Sequence, residues 1–339
     1  MLVYGATLEE WLKAARVNLT LVAIFLFTPL LGIPVRTGGY VDALKLILSS
    51  RMNNPNFLFV GSSLLSHILG VVLNIGAISI VHELSTASDN KRMIATSINR
   101  GFVSTIFWSP YFSAMALILS ALPVKWGSIL IYSLGLSFIA LILSYFIEKP
   151  YRMNTPARER DCVPTEVERL KMARRKVGEL SALLVILVIG VLVAEHLTSS
   201  SMTFIICVLA ALFPLIWCVS KGELEHYKKE FRDHLFTGIP RMKKEIVLFL
   251  IAGFFSGAFV KTGWSTYLVE GLSGAFPGFN IGIAYVIAFL IVLSAVMGLH
   301  PIVVVTILVT SIDPIKIGFS HEIFAILLLT SWGISNTLS

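Results

Sequence analysis

Polar side chains with chemistry to offer stand at a few breaks in otherwise apolar runs. Asn74-Ile75-Gly76 interrupts the run 56–84, and His300-Pro301 interrupts the run 281–312. Ser335-Asn336-Thr337 follows the apolar run that begins near 321, Ser109-Pro110 lies inside 101–122, and Ser66 precedes the first break. Hydroxyls, amides and carbonyls freed by proline are neutral oxygen ligands that suit Na⁺. Backbone N–H groups exposed at half-helix ends suit a carboxylate. The expected substrate-binding residues are therefore Asn74, Gly76, Ser109, Pro110, His300, Pro301, Ser335, Asn336 and Thr337. The expected ion-binding residues are Ser66, Asn74, Ser335 and Asn336.

Each has a plainer reading. Serine and threonine in membrane helices usually bond back to their own backbone or bridge to a neighbour. A Gly or Pro break also serves simply as a kink. Asn74 is harder to dismiss, because an amide amid apolar residues is expensive unless it is used. Histidine as a residue type titrates near neutral pH, so His67 and His300 suit a proton relay, with a structural hydrogen bond as the alternative. His82-Glu83 reads as interfacial.

The missing groups also inform. Glu195 is the one acid deep in an expected helix, and it sits with His196 close to the helix end. Proton pumps and cation antiporters use buried acids, so their scarcity favours an anion substrate with a cation held by neutral oxygens. No HExxH, phosphate-binding Gly-rich loop or Gly-x-Ser-x-Gly is present, so an intramembrane enzyme lacks its parts. No catalytic residue, resident metal or cofactor is expected beyond Na⁺ or H⁺ as the coupling ion. The three cysteines, Cys162, Cys207 and Cys218, have neither disulfide nor metal spacing.

The elements that must position these residues are membrane helices. Of 339 residues 56% are hydrophobic and 14% charged, and the mean hydropathy is +0.83. A soluble domain cannot cover itself with so little polar surface. Apolar runs of spanning length fall near 17–34, 101–122, 126–147, 179–197, 202–220, 245–260 and 321–338. The first is too long for a signal-peptide core and lacks a cleavage site, so it reads as a true helix. Leu8–Arg16 reads as a short amphipathic helix at the interface. The interrupted runs 56–84 and 281–312 read as re-entrant helical hairpins or broken helices, since freed backbone groups at membrane depth need protein or a wet cavity.

The net charge of +7 reflects orientation rather than nucleic acid. Lys149 to Lys176 carries nine Lys or Arg, and Lys221 to Lys244 carries seven. With six more in loops 35–55 and 85–100, 22 of the 27 basic residues fall on one side, assigned as cytoplasmic. Loop 149–178 reads chiefly as an orientation signal, with contact to anionic lipid as the alternative.

The chain also repeats itself. Val35-Arg36-Thr37-Gly38-Gly39 recurs as Val260-Lys261-Thr262-Gly263-Trp264, an offset of 225, and Trp108-Ser109-Pro110 answers to Trp332-Gly333-Ile334 at 224. Counting crossings makes the two units opposite in direction, which is the inverted-repeat plan of secondary transporters. The expected organisation is an interfacial segment 1–15, repeat one at 16–148, a basic loop 149–178, a linking transmembrane hairpin 179–220, a second basic loop 221–244 and repeat two at 245–339. Repeat two stops short of a partner for 126–147, so a truncated frame is expected at the C-terminus and suspected at the N-terminus.

The order of scaffold helix, VRTG-type turn, hairpin with a polar tip and broken helix carrying Trp-Ser-Pro or Ser-Asn-Thr resembles the ion transporter superfamily. That group includes divalent anion–sodium symporters, citrate–metal symporters, arsenite permeases and a sodium–proton antiporter branch. The resemblance covers 16–148 and 241–339. In the divalent anion–sodium branch, Ser-Asn-Thr motifs at hairpin tips hold carboxylate and sodium. Here only Ser335-Asn336-Thr337 matches by letter, and the internal repeat puts it after the hairpin rather than at the tip. The resemblance implies two tips facing two broken helices near mid-membrane. It also implies a homodimer in which the substrate-bearing part moves against a scaffold.

The expectation is an all-α polytopic membrane protein of a prokaryotic inner membrane, in contact with lipid. It would move a small anion, a carboxylate first, coupled to Na⁺ or H⁺ by alternating access. A sodium–proton antiporter and an inactive or truncated membrane fragment are the alternatives.

Overall fold

The computed structural model describes residues 5–49, 54–74, 76–85, 91–150 and 167–337. Every regular element among them is helical. Helix α1 (Leu8–Arg16) opens with a capping box: Thr7 Oγ1 accepts from Glu10 N, and the Glu10 carboxylate accepts from Thr7 N. Asn18 then separates α1 from α2 (Leu19–Phe27), which continues through a 3₁₀ turn (Thr28–Leu31) into α3 (Gly32–Thr37). Pro29 tightens that turn at its start. Helix α4 (Tyr40–Ser49) is too short to span.

Helix α5 (Pro55–Leu73) starts at Asn54, whose side chain accepts from the Asn56 and Phe57 amides. It ends at Asn74, and α6 (Gly76–Ser85) then packs against α5. Helix α7 (Lys91–Ile106) lies along α5 in close contact. At Gly101 an added Cβ would stand 2.0 Å from the Ser63 carbonyl oxygen, so only glycine allows this approach. The run 101–122, expected to span and to be broken at Trp108-Ser109-Pro110, is two pieces, α7 and α8 (Ser113–Ala121), with an irregular stretch around Pro110 between them. The Trp108 carbonyl within that stretch accepts from the Trp126 indole at 2.9 Å, and Tyr111 reaches the Leu187 carbonyl at 3.1 Å. The Trp108 carbonyl at the break is thereby satisfied by protein, as it must be away from water.

Helix α9 (Trp126–Ile147) and helix α10 (Val167–Leu197) are long and expose most of their surface. Helix α11 (Met202–Ser220) follows α10 after a short turn. The two basic stretches read as loops are largely helical where described. Residues 167–178 form the first turns of α10, and α12 (Leu224–Asp233) runs through a π turn into a three-residue helix, α13 (Ile239–Arg241). Charged residues on one face hide an amphipathic helix from a hydropathy reading. Tyr227 and Phe231 of α12 stack, and they pack on a small cluster of Leu30, Ile33 and Cys218. Residues 151–166 of the first basic segment, with Cys162, lie outside the described residues.

Helix α14 (Lys243–Lys261) packs on α1, where Gly253 faces the Ala14 carbonyl oxygen, 2.8 Å from where a Cβ would lie. Helix α15 (Trp264–Ala275) departs from it at 75°. Helix α16 (Asn280–Val296), helix α17 (Pro301–Ser311), a 3₁₀ turn (Pro314–Ile317) and helix α18 (His321–Ser335) complete the order. Helix α18 packs against α7, α8 and α16.

Among the described residues five helical stretches are long and apolar enough to cross a membrane, and six if the bent α14–α15 pair counts as one. The protein is therefore a helical, multi-pass membrane protein. Its large exposed side chains, such as Phe138, Ile142, Phe146 and Ile186, suit contact with lipid tails.

Candidate functional site

A cavity of about 480 Å³ lies where the N-terminal and C-terminal parts of the chain meet. The expected residues Asn74, His300 and Asn336 all line it, although 36 to 262 residues separate them in sequence. Each sits beside a helix end. Asn74 closes α5, His300 caps α17, and Asn336 follows α18.

The geometry of each explains its place. Asn74 has φ 53° and ψ −134°, the one positive φ on a non-glycine among the described residues. Such backbone costs of order 1–3 kcal/mol and persists where the surroundings dictate it. The Asn74 amide N–H donates to the Gly70 carbonyl and its own carbonyl accepts from Ala77, so both backbone groups are used by the turn. His300 accepts from the Ile302 amide through Nδ1 at 3.2 Å, which fixes the ring at the start of α17. Its ring meets Trp332 edge-on at 6.3 Å. The Asn336 amide N–H is held by the last carbonyls of α18.

The remaining walls were not expected. Helix α7 contributes Asn99, Phe102 and Ile106, and the start of α8 contributes Phe112, Ser113 and Ala114. Phe112 gives no side-chain cap to α8, so the first N–H groups of that helix have no local acceptor of that kind. Helix α14 contributes Lys244, Glu245, Leu248 and Phe249. Phe25 of α2 meets Phe249 edge to face at 5.4 Å. Behind this pair Asn18, fully buried, donates to the Phe249 carbonyl at 3.0 Å and to the Thr306 hydroxyl at 3.4 Å. Asn18 thus joins α2, α14 and α17. In the sequence these residues carry weak signals. Asn18 falls at the start of the expected run 17–34 and Glu245 at the start of 245–260, where a polar residue draws no attention.

Other expected residues lie away from the cavity. The Ser66 hydroxyl is buried and donates to the Ile98 carbonyl at 2.8 Å, which ties α5 to α7. Ser109 is buried and accepts from the Tyr111 amide at 3.3 Å, and Pro110 is buried beside it. The helix break they mark does reach the cavity, but through Phe112 and Ser113 instead. Ser335 bonds back to the Trp332 carbonyl at 2.7 Å and Thr337 to the Ile334 carbonyl at 2.7 Å. Gly76 and Pro301 begin α6 and α17 next to lining residues without lining the cavity themselves.

His67 takes the structural alternative. Trp108 Nε1 donates to His67 Nε2 at 3.3 Å, which assigns the ring proton to Nδ1, facing Ser104 Oγ at 2.8 Å. Ser104 donates onward to the Gly101 carbonyl at 2.7 Å. Both ring nitrogens are therefore used to clamp α5 to α7. Glu195 is likewise accounted for. Its carboxylate accepts from the Trp126 amide at 2.7 Å and the Gly127 amide at 2.9 Å. It caps α9 from the end of α10, where a negative charge meets the positive end of the helix.

The described residues hold no group of three or more His, Cys, Asp or Glu able to bind a metal. Chemically, the cavity offers three side-chain amides, one hydroxyl, one lysine, one glutamate and an imidazole against a largely aromatic wall. Comparison with known proteins finds no protein family, no curated protein and no solved structure that matches this chain.

Proposed function

We propose that this chain is a secondary transporter that moves a small anion, a carboxylate first, with Na⁺ or H⁺ through the cavity. The single observation that carries the reading is the convergence of Asn74, His300 and Asn336, from three separate helix breaks, on one space. Three helices begin at or beside that space: α6 after Asn74, α8 at Ser113 and α17 after His300. Their positive ends suit an anion. The amide oxygens suit a cation.

An internal repeat supports alternating access. The stretch Leu19–Thr37, which holds α2, the 3₁₀ turn and α3, and the helix Lys243–Lys261 stand 224 residues apart at both ends. Tyr40 and Trp264 begin the next helices at the same offset, and Gly39 and Gly263 between them have φ of 70° and 77°. Helices α5 and α16, then α6 and α17, follow at 225. Phe25 and Phe249, also 224 apart, touch each other. A residue meets its own counterpart only near an axis that relates two copies. We read the copies as inverted, from the distribution of basic residues, in a prokaryotic inner membrane.

The test is binding, then transport, with the full chain. In thermal unfolding against dicarboxylates, citrate, lactate and arsenite, each in Na⁺ or K⁺, a ligand at roughly a hundred times its Kd stabilises by about 2.7 kcal/mol. The expected result is a shift with one anion that needs Na⁺ or depends on pH. Asn74→Ala and Asn336→Ala should insert normally and lose uptake in proteoliposomes. Wild-type uptake in both variants sinks the site.

A sodium–proton antiporter is the second reading, favoured by His300 and Glu245 in the cavity. It predicts stabilisation by Na⁺ or pH and by no anion.

A further inference from the structure

We infer that Glu245 binds the coupling cation, a proton or Na⁺, an assignment that rests on the transport reading above. Glu245 lies in the first turn of α14 and lines the cavity with His300, Asn74, Asn99 and Asn336. Its Oε2 is buried and has no hydrogen-bond partner. A buried carboxylate oxygen without a donor is costly. Glu245 also lies where the dipole of α14 favours a negative charge, so the group is placed to hold a cation beside it. Charge neutralisation by a bound cation removes the cost, either as a proton on the carboxylate or as Na⁺ beside it. The amide oxygens of the three asparagines sharing the wall are the ligands that Na⁺ would add.

The ionisable groups that share the cavity with Glu245 are Lys244 and His300. Helices α2 and α17, which pack on α14, carry no ionisable side chain. Helix α1 also packs there, and its Glu10 pairs with Lys261 at the far end of α14. Arg241 lies in the short helix just before α14, and α15, carrying Glu270, begins beyond the far end. By the offset of 224, Glu245 answers to Leu21, which is fully buried and apolar. The acid is thus present in one copy of the repeat only, and one such cation is expected per chain.

The experiment uses the full chain in lipid nanodiscs without any anionic substrate. The melting midpoint is followed through a NaCl series, with choline chloride holding ionic strength constant, and separately through a pH series at low Na⁺. Dependence on Na⁺ at fixed pH names Na⁺, and dependence on pH at low Na⁺ names the proton. Glu245→Gln should weaken that response by about tenfold or more in apparent affinity, while Lys243→Gln keeps it. As a check free of any folding defect, a hydrophobic carbodiimide should label Glu245 of the wild type, and Na⁺ or raised pH should slow the labelling. A full wild-type response in Glu245→Gln overturns the inference, as does labelling indifferent to both Na⁺ and pH. If the cation response stands but wild-type vesicles take up no anion, the anion-transport reading fails and the Glu245 assignment survives.

Discussion

Asn74 has two duties that substitution can separate. Its backbone takes a conformation that glycine adopts freely and other residues adopt at a cost, while its side chain lines the cavity. Asn74→Gly should melt about 1 kcal/mol more stably than Asn74→Ala, from the relief of that strain. Both should lose anion uptake. Equal melting of the two variants rules out strain at this position, and retained uptake rules out the amide. The residue was legible in the sequence because an amide stood alone among apolar neighbours. His300 was legible as a polar break beside Pro301, and Asn336 as the middle of the Ser-Asn-Thr element that follows an apolar run. Phe25 and Phe249 were not, because an aromatic residue in a membrane helix carries no mark of facing a cavity rather than lipid. Ser66, Ser109 and Ser335 drew attention as hydroxyls, and each donates to or accepts from nearby backbone groups. Hydroxyls are satisfied so cheaply by local carbonyls and amides that their presence says little about ligands.

At the scale of elements, contacts between helix pairs decide what tolerates change. Gly101→Ala must push a methyl group into the Ser63 backbone. Overpacking of this kind costs typically 1–3 kcal/mol, and because the obstacle is backbone, about 3 kcal/mol is expected in thermal unfolding. Gly135→Ala, with open space at its Cβ inside α9, serves as the control and should melt no lower than the wild type, since alanine favours a helix over glycine by about 1 kcal/mol. Glu195 joins α10 to α9 through two charge-assisted hydrogen bonds. Glu195→Ala should lose about 2 kcal/mol, and Glu195→Gln less, since hydrogen bonds to a charged acceptor are each worth about 1.5–3 kcal/mol and partial exposure discounts them. An unchanged midpoint in Glu195→Ala would show that water replaces the carboxylate without loss. The helices themselves were read well where hydropathy alone defines them, as for α9 and α11. They were read poorly where a charged face masks periodicity, as in α12 and the start of α10. The split of 101–122 was legible at Pro110, but its partners were not: the Trp126 indole reaches the Trp108 carbonyl within it, and its own Tyr111 reaches the distant Leu187 carbonyl.

For the whole molecule, the asymmetry of charge makes a prediction about sidedness. The turns 122–125 and 198–201 should lie outside and α12 inside. In a cysteine-free background and intact cells, an impermeant maleimide should label Ser200→Cys and spare Lys229→Cys until the membrane is opened. Labelling of Lys229→Cys in sealed cells reverses the assigned topology. The seam between α5 and α7 bears on how such a molecule can work. Gly101 leaves no gap there, and Ser63, Ser66 and His67 are pinned across it to Ser97, Ile98 and Ser104. Neither helix can slide or roll past the other without breaking several of these links together. Mechanically the pair is a single beam. It carries the Asn74 turn at one place and Asn99, Phe102 and Ile106 at another. Those residues keep their mutual distances however the beam is tilted, so a change in the cavity's shape has to come from displacement of the walls that the pair does not carry, on α2, α6, α8, α14 and α18 and at His300.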